Sequence, residues 1–141
     1  TASQQQLSEW RSKELSIVFQ DLRLFSSLTV QENLALKHSL GSDVPLQQIQ
    51  EWLEVLGIAS KWQQKAETLS YGERQRVAII RSLIQPFTTL LLDEPFSHLD
   101  DANAQKAISL ISMRLQQLKA GLILVDLEDN DWFEYDRKLL L

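Results

Sequence analysis

The chain has 141 residues, among them no cysteine, three prolines and four glycines. The absence of cysteine excludes a disulfide scaffold and suits a reducing compartment. Glycine falls well below its usual share of about 7%, and because the first one is Gly41, no glycine-rich phosphate-binding loop lies near the N-terminus. No apolar run approaches the roughly 20 residues that a membrane-spanning helix needs. The first six residues lack the basic-then-apolar layout of a secretory signal.

Acidic side chains outnumber basic ones by 19 to 14, which gives a formal net charge of −5. This balance argues against broad, non-specific nucleic-acid binding, because such binding needs positive charge facing the phosphates. Hydrophobic residues make up 44% of the chain and charged residues 23%, which is the mixture of a globular domain. A chain of this length fits one domain and buries roughly 68–70% of its unfolded surface.

Three short apolar segments predict strands. Residues 15–19 are rich in β-branched and aromatic side chains, and residues 122–125 are apolar throughout. The apolar residues of 88–92 do not alternate with polar ones, which predicts a strand buried on both faces of a parallel sheet. Residues 139–141 are expected to start a last strand.

Start and stop signals divide the remaining sequence into helices. Capping boxes, in which Ser or Thr is followed three residues later by Glu, predict helix starts at Thr29 and Ser70. Pro45 suits the first turn of another helix, and the glycines at 41, 57 and 121 suit helix ends. The predicted helices are 29–41, 45–57, 60–65, 70–85 and 101–119, and residues 8–13 are predicted to end an earlier helix.

The order of these elements predicts an α/β fold, with the sequence strand, helical insert, strand, helix, strand. Residues 1–24 and 86–141 would form the α/β core that contains the sheet. Residues 25–85 would form a mainly helical subdomain inserted between its strands.

Two adjacent carboxylates, Asp93 and Glu94, follow the strand predicted at 88–92. In open parallel sheets, ligands bind beyond the carboxyl ends of the strands. One carboxylate there can hold Mg²⁺ through water, while the other orients or deprotonates an attacking water. The alternative is that the pair simply follows a strand and begins the next segment. The apolar run before the pair and Pro95 after it favour the functional interpretation.

Ser70 and Gly72 lie at the start of the helix predicted at 70–85. A helix N-terminus presents free backbone N–H groups and the positive end of the helix dipole, and a glycine permits the close approach of a ligand. These features suit a phosphate. The alternative is ordinary capping by Ser70 with Glu73, and the two interpretations are compatible, because Ser70 can cap the helix when no anion is bound.

Several motifs in the same order make residues 15–141 similar to the ATP-binding subunits of ABC transporters. Residues 69–73, Leu-Ser-Tyr-Gly-Glu, resemble the family's signature motif, usually Leu-Ser-Gly-Gly-Gln. Residues 90–94 resemble the Walker B strand with its catalytic glutamate, and residues 97–100, Ser-His-Leu-Asp, are similar to the D-loop. Gln20 and the segment after it resemble the Q-loop and the entry to the helical subdomain. The resemblance implies a partial P-loop ATPase sheet with an inserted helical subdomain.

The resemblance also implies roles for the residues at the strand ends. Asp93 would support Mg²⁺, and Glu94 would be the general base that polarises water. Gln20 would contact Mg²⁺ or the water, and would move with a transmembrane partner. For Gln20 the alternative is a surface glutamine that follows a strand.

A second group of residues is implied to form an ATP site shared between two chains. Ser70 and Gly72 would touch the γ-phosphate of ATP held by a second, facing ATP-binding subunit, and Tyr71 belongs to the same motif. Ser97 and Asp100 would lie at the dimer interface. The complete set implied for nucleotide binding is Ser70, Tyr71, Gly72, Glu73, Ser97 and Asp100.

Three departures from the family pattern are visible. No Gly-x-x-x-x-Gly-Lys-Ser/Thr loop occurs in the sequence, although that loop supplies the backbone cradle and the lysine that hold phosphates. Leu127 occupies the position expected for the family's switch histidine, and leucine cannot hydrogen-bond a phosphate. Tyr71 replaces a usual glycine. We therefore expect the chain to be the later part of a larger ATPase domain, and in isolation to bind ATP weakly or not at all and to be inactive.

Three functions follow from the resemblance. The first is an ATP-hydrolysing subunit that couples ATP and Mg²⁺ chemistry to transport, peripheral on the cytoplasmic face of the cell membrane through a permease subunit, without nucleic acid. The second is a non-hydrolysing assembly or regulatory module, which Leu127 and the missing loop favour. The third is a chromosome-maintenance or repair ATPase. The net acidity disfavours it, and so does the separation of Gln20 from Ser70 by only about fifty residues, the scale of one small subdomain.

Other conspicuous residues have simpler interpretations. Trp52 falls on an apolar helical face, which indicates core packing and not base stacking. The acidic segment 128–131 lacks the ligand spacing of an EF-hand and is expected to be a solvated loop. His98 is expected at an interface or on the surface, and His38 as a helix-end cation or a surface residue.

Overall fold

The computed structural model describes residues 1–140, and for residues 10–13 the backbone alone. In this part of the chain helices separate three strands, with two short 3₁₀ turns at Ala59–Lys61 and Ala66–Thr68. In chain order they are α1 (Gln4–Lys13), β1 (Leu15–Val18), α2 (Val30–Ser39), α3 (Leu46–Val55), α4 (Tyr71–Leu83), β2 (Thr89–Asp93), α5 (Asp101–Leu118) and β3 (Gly121–Val125).

The strands form one parallel sheet with β2 in its centre. Leu15 of β1 pairs with Thr89, and Thr89 pairs in turn with Gly121 of β3. The predicted α/β class and parallel sheet are confirmed. Because the strands are parallel, their carboxyl ends lie along one edge, and the segments after β1, β2 and β3 all begin there.

Helices α2, α3 and α5 pack around α4, which is the most buried helix of the described chain. Its side chains Val77, Ile79, Ile80 and Leu83 are all fully buried, and α2, α3, α5 and β1 contact it. Trp52 of α3 is 3% exposed, so its predicted role in the core is confirmed. One continuous hydrophobic cluster joins the sheet to these helices.

The predicted burial of the central strand on both faces is wrong for the described chain. Leu90 and Leu92 are fully buried, but Leu91 between them is only half-buried. Ile123, the partner of Leu91 in β3, is 52% exposed. An apolar sequence shows that both faces of a strand are hydrophobic, whereas the burial of each face depends on which elements cover it. Here the hydrophobic cluster covers one face more completely than the other.

Several predicted boundaries also change. Gly121 does not end a helix but begins β3, and Lys119 takes the left-handed position after α5 with φ +51°. Residues 139 and 140 form no strand and are exposed, so the predicted last strand is wrong there, and Leu141 lies outside the described residues. Pro45 precedes α3 as its N-cap and is not within its first turn. These differences reflect how weakly sequence fixes the ends of elements.

Both predicted capping boxes are confirmed. The Thr29 hydroxyl accepts a hydrogen bond from the Glu32 amide at 3.1 Å, and the Thr29 amide donates to the Glu32 carboxylate at 2.8 Å. Ser70 and Glu73 make the same pair of bonds at the start of α4. No helix within residues 1–140 is both long enough and apolar enough to span a membrane.

Candidate functional site

The two predicted carboxylates lie where β2 ends. Asp93 is the last residue of β2, and Glu94 follows it with a left-handed backbone, φ +46°. A non-glycine residue adopts that conformation at a cost of roughly 1–2 kcal/mol. The Glu94 amide donates to the Val125 carbonyl at 2.8 Å, so hydrogen bonding to the end of β3 helps to hold the strained residue at the sheet edge.

Gln20 reaches the same place from the end of β1. Its Nε2 donates a hydrogen bond to Glu94 Oε2 at 3.2 Å, across 74 residues of sequence. The two residues meet because β1 and β2 are neighbouring parallel strands. Gln20 is exposed, as the alternative interpretation required, but its side chain has a defined partner at the strand edge.

The side chains at this edge fit a hard divalent cation. Asp93, Glu94 and Gln20 offer carboxylate and amide oxygens, which are the ligands that Mg²⁺ prefers. The Asp93 carboxylate has no hydrogen-bond or ion-pair partner among the described side chains. Within the described residues, no group of three or more His, Asp or Glu side chains could hold a metal ion by itself. These donors are of the chemical type that Mg²⁺ prefers when it keeps most of its water, and the role of Asp93 and Gln20 in holding this ion stays a prediction.

The start of α4 is closed by its own capping box. The Ser70 hydroxyl accepts from the Glu73 amide at 3.2 Å, and the Ser70 amide donates to Glu73 Oε1 at 2.9 Å. That backbone hydrogen bond is the main reason why the pKa of the Glu73 carboxyl is lowered, and Lys61 lies 3.6 Å from its other oxygen. The capping interpretation is confirmed. An anion at Ser70 stays a prediction, and Glu73 is engaged within the chain.

Gly72 allows two segments of the same chain to pack closely. A Cβ atom at this position would lie 2.6 Å from the backbone oxygen of His98, which is far inside van der Waals contact. The sequence predicts that this glycine permits the close approach of a ligand. The structure adds a second requirement, because the segment after β2 passes directly over the first turn of α4.

Gln75 is a site residue that sequence reasoning missed. It is 1% exposed, and its Nε2 donates to Ser97 Oγ at 2.9 Å and to the Glu94 carbonyl at 3.3 Å. Its Oε1 accepts from the His98 amide at 3.0 Å. A helical projection places Gln75 on the apolar stripe of α4, three residues before Ala78. A polar residue on that stripe was the available signal, since a buried amide needs partners.

Tyr71 connects three of the predicted motifs. Its hydroxyl donates to the backbone carbonyl of Gln20, and its ring lies against the His98 ring with centroids 4.2 Å apart. The His98 ring nitrogen Nδ1 is 2.9 Å from Ser97 Oγ. His98 is exposed, as predicted. The residue that departs from the usual glycine of the motif is therefore in contact with the segments that follow β1 and β2.

The remaining predicted residues lie at the surface. Asp100 is the N-cap of α5, where its Oδ1 accepts from the Asn103 amide at 2.8 Å. Ser97 and Asp100 are both exposed, and their role at a dimer interface stays a prediction. Leu127, two residues beyond β3, is 84% exposed and brings no hydrogen-bonding side chain to the edge that carries Glu94.

The sequence matches a known family model over much of its length. The model is described as ABC transporter and matches residues 1–97. The thiamine import ATP-binding protein ThiQ of Shigella flexneri serotype 5b (strain 8401) is 38% identical over 116 residues, which cover 80% of this chain and 50% of that protein. The macrolide export ATP-binding/permease protein MacB of Aggregatibacter actinomycetemcomitans is 37% identical over 110 residues, covering 75% and 17% respectively. The chain thus spans half or less of the length of these relatives.

Solved structures show the same fold. The dimeric structure of MJ0796, a bacterial ABC transporter cassette, superposes with a TM-score of 0.73 at 24% identity, over 87% of this chain and 56% of that one. A post-hydrolysis state of that cassette bound to ADP and Pi superposes with a TM-score of 0.69 at 26% identity. The parallel sheet agrees with these matches. On the family model and the close sequence relatives together, the chain belongs to the ABC transporter family.

Proposed function

We propose that the chain belongs to an energy-coupling ATPase subunit that works with permease subunits at the inner face of a membrane. The contact between Gln20 and Glu94 carries the proposal, because it pairs an amide with a strand-end carboxylate beside Asp93. The relatives include an import protein and an export protein. The proposal therefore specifies ATP hydrolysis and leaves the transported compound open.

In this proposal Glu94 is the general base for water attack on the γ-phosphorus of ATP. Its carboxylate accepts a proton from the water as the water oxygen bonds to phosphorus and the bond to the bridging oxygen of ADP breaks. Gln20 Nε2 orients the carboxylate through the 3.2 Å hydrogen bond. Asp93 would help to hold Mg²⁺, which when bound supplies positive charge to the phosphate oxygens.

The start of α4 would serve the nucleotide of a second subunit. Ser70 and the amides of the first turn of α4 offer donors to a γ-phosphate, and the Ser70 hydroxyl is held in place by the capping box. Ser97 and Asp100, both exposed, would contact the partner. The dimeric state of the MJ0796 cassette supports this arrangement. In this proposal residues 25–85 form the inserted helical subdomain, and residues 1–24 and 86–141 form the core.

The test is ATP turnover by the protein in complex with its permease. Replacing Glu94 by Gln keeps the shape of the side chain but removes the proton acceptor, so we expect turnover to fall by about 100-fold or more. The matched control is Glu128→Gln, because Glu128 is exposed in the acidic segment after β3. It should leave turnover unchanged. Turnover of the Glu94→Gln protein at the wild-type level would refute the proposed base.

A second candidate function is a module that binds beside a partner's ATP and hydrolyses nothing itself. Leu127 favours it, because this exposed leucine offers no hydrogen bond where the chain leaves β3. Under this candidate the wild-type protein has negligible turnover, and Leu127→His raises it. Robust turnover by the wild-type protein as a homodimer would exclude this candidate.

A further inference from the structure

The segment that carries Gln20 ends in an unusual backbone turn. We call residues 19–23 the 19–23 turn. Leu22 and Arg23 are consecutive left-handed residues with φ +62° and +50°, and neither is glycine. The turn has its own short-range bonds, from the Leu22 amide to the Phe19 carbonyl at 2.9 Å and from the Arg23 amide to the Asp21 carbonyl at 2.7 Å. Two adjacent strained residues persist only where surrounding contacts impose them.

Helix α4 supplies those contacts from two places along its length. At its start, the Tyr71 hydroxyl donates to the Gln20 carbonyl. Ten residues later, Arg81 donates from Nη1 to the Arg23 carbonyl at 2.7 Å and from Nη2 to the Leu22 carbonyl at 2.5 Å. Burial lowers the pKa of Arg81, and a guanidinium removed from water needs acceptors for its donors. Three carbonyls of the turn are thus held by one helix.

The same helix also holds the segment that carries Glu94. Gln75 donates to the Glu94 carbonyl at 3.3 Å and accepts from the His98 amide at 3.0 Å. The Tyr71 ring packs against the His98 ring. Helix α4 therefore contacts both sides of the Gln20–Glu94 hydrogen bond, the Gln20 side through Tyr71 and Arg81 and the Glu94 side through Gln75.

We propose that Tyr71 and Arg81 are positioning residues that fix Gln20 against Glu94 by holding the 19–23 turn to α4. In consequence, loosening the attachment of the 19–23 turn to α4 weakens the Gln20–Glu94 contact. The catalytic meaning of this linkage rests on the proposed function of Glu94. The linkage itself is formed by the chain's own residues and can be measured without nucleotide.

The first measurement is hydrogen exchange of the Leu22 and Arg23 amides in the purified protein without nucleotide. Tyr71→Phe keeps the ring against His98 and removes only the hydroxyl. We expect both amides to exchange about 3- to 10-fold faster, the range set by the loss of one hydrogen bond, relative to the central amides of β2. The matched control is Tyr135→Phe, since the Tyr135 hydroxyl donates to Asn130 away from the turn. Unchanged relative exchange in Tyr71→Phe would overturn the proposal.

The second measurement follows the Gln20 side-chain amide by NMR, because a merely structural role for Tyr71 would not move it. Glu94→Gln replaces the charged acceptor and provides the reference shift for a weakened contact. We expect the Gln20 amide resonance of Tyr71→Phe to move from its wild-type position towards that reference, and that of Arg81→Lys to move less than that of Arg81→Met. A Gln20 resonance that stays in place while the turn exchanges faster would show that the turn is held but Gln20 is not positioned by it.

Both measurements separate this proposal from the proposed function. If the protein hydrolyses no ATP but Tyr71→Phe changes exchange and the Gln20 resonance as expected, the linkage stands and the ATPase proposal falls. If turnover depends on Glu94 but the exchange and the resonance do not depend on Tyr71, the linkage falls and the ATPase proposal stands.

Discussion

A single methyl group at Gly72 tests how closely α4 packs against the segment after β2. In Gly72→Ala the new Cβ would lie 2.6 Å from the His98 carbonyl oxygen and 3.6 Å from the His98 carbonyl carbon. Ordinary carbon–oxygen contacts begin at about 3.3–3.6 Å. The His98 backbone must therefore retreat by roughly 0.7–1 Å, or the start of α4 must tilt.

Two opposing effects set the size of the change. Alanine is more favourable than glycine within a helix by about 1 kcal/mol, which alone would stabilise the variant. Overpacking costs typically 1–3 kcal/mol, and here the obstructing atom belongs to the backbone, which cannot rotate away as a side chain can. The His98 amide is also tied to Gln75 at 3.0 Å. We expect the clash to prevail, with a net loss of about 1 kcal/mol in the free energy of unfolding.

The assay is urea unfolding followed by circular dichroism, with Gly121→Ala as the matched control. At Gly121 an added Cβ meets nothing nearer than the Thr88 oxygen at 4.0 Å, so that variant should be as stable as the wild type or slightly more stable. Amide exchange at His98 should rise in Gly72→Ala, because the Gln75 contact is displaced. Equal or greater stability of Gly72→Ala, with unchanged exchange at His98, would refute the reasoning.

Three further predictions concern stability. The pKa of Glu73 is lowered in the folded chain, so ionised Glu73 adds to the free energy of unfolding. This contribution is fully present above the unfolded value near 4.5 and is lost as the pH falls through the lower folded value. The free energy of unfolding measured against pH should show this loss in the wild type and not in Glu73→Gln. Lys119→Gly relieves the left-handed φ of +51° and should raise the free energy of unfolding by up to about 1 kcal/mol. The melting temperature should rise accordingly, and a lower melting temperature would contradict this. Asp43→Ala leaves the buried Arg114 without its carboxylate partner and should lower the free energy of unfolding in denaturant by about 1–3 kcal/mol. The loss should be smaller than for a fully buried pair, because the Asp43 side chain is 41% exposed. A loss below about 0.5 kcal/mol, the size of a surface substitution, would contradict this prediction.

Local rules in the sequence predicted the parts of the fold that depend on neighbouring residues. The capping boxes at Thr29 and Ser70 use atoms three residues apart, so the sequence contains the whole interaction. The order of apolar segments likewise predicted the α/β fold with its parallel sheet. The meeting of Gln20 and Glu94 at one edge is a finding of the structure that this parallel arrangement explains.

The contacts that sequence reasoning missed join residues far apart in the chain. Arg114 lies in the core, where no local pattern places it, and it donates from Nε to the Leu83 carbonyl at 2.9 Å and pairs with Asp43. Helical periodicity alone cannot supply such a partner, since it depends on how α5 sits against α4 and the loop before α3. The hydrogen bond from the Tyr71 hydroxyl to the Gln20 carbonyl was missed for the same reason, because it joins residues 51 positions apart in the chain.

The distance in sequence between the two halves of the sheet has a consequence for how the chain folds. Gln20 and Glu94 are 74 residues apart, and three α-helices lie between β1 and its partner β2 in the sequence. Pairing strands across so long a loop is slow, because the entropy of closure is lost before the contacts repay it, whereas helices form from local contacts. We expect helical ellipticity to recover early during refolding and the β1–β2 pair to form late. The residues assigned to the chemistry are therefore among the last to meet, and the capping boxes of α2 and α4 help to set the order.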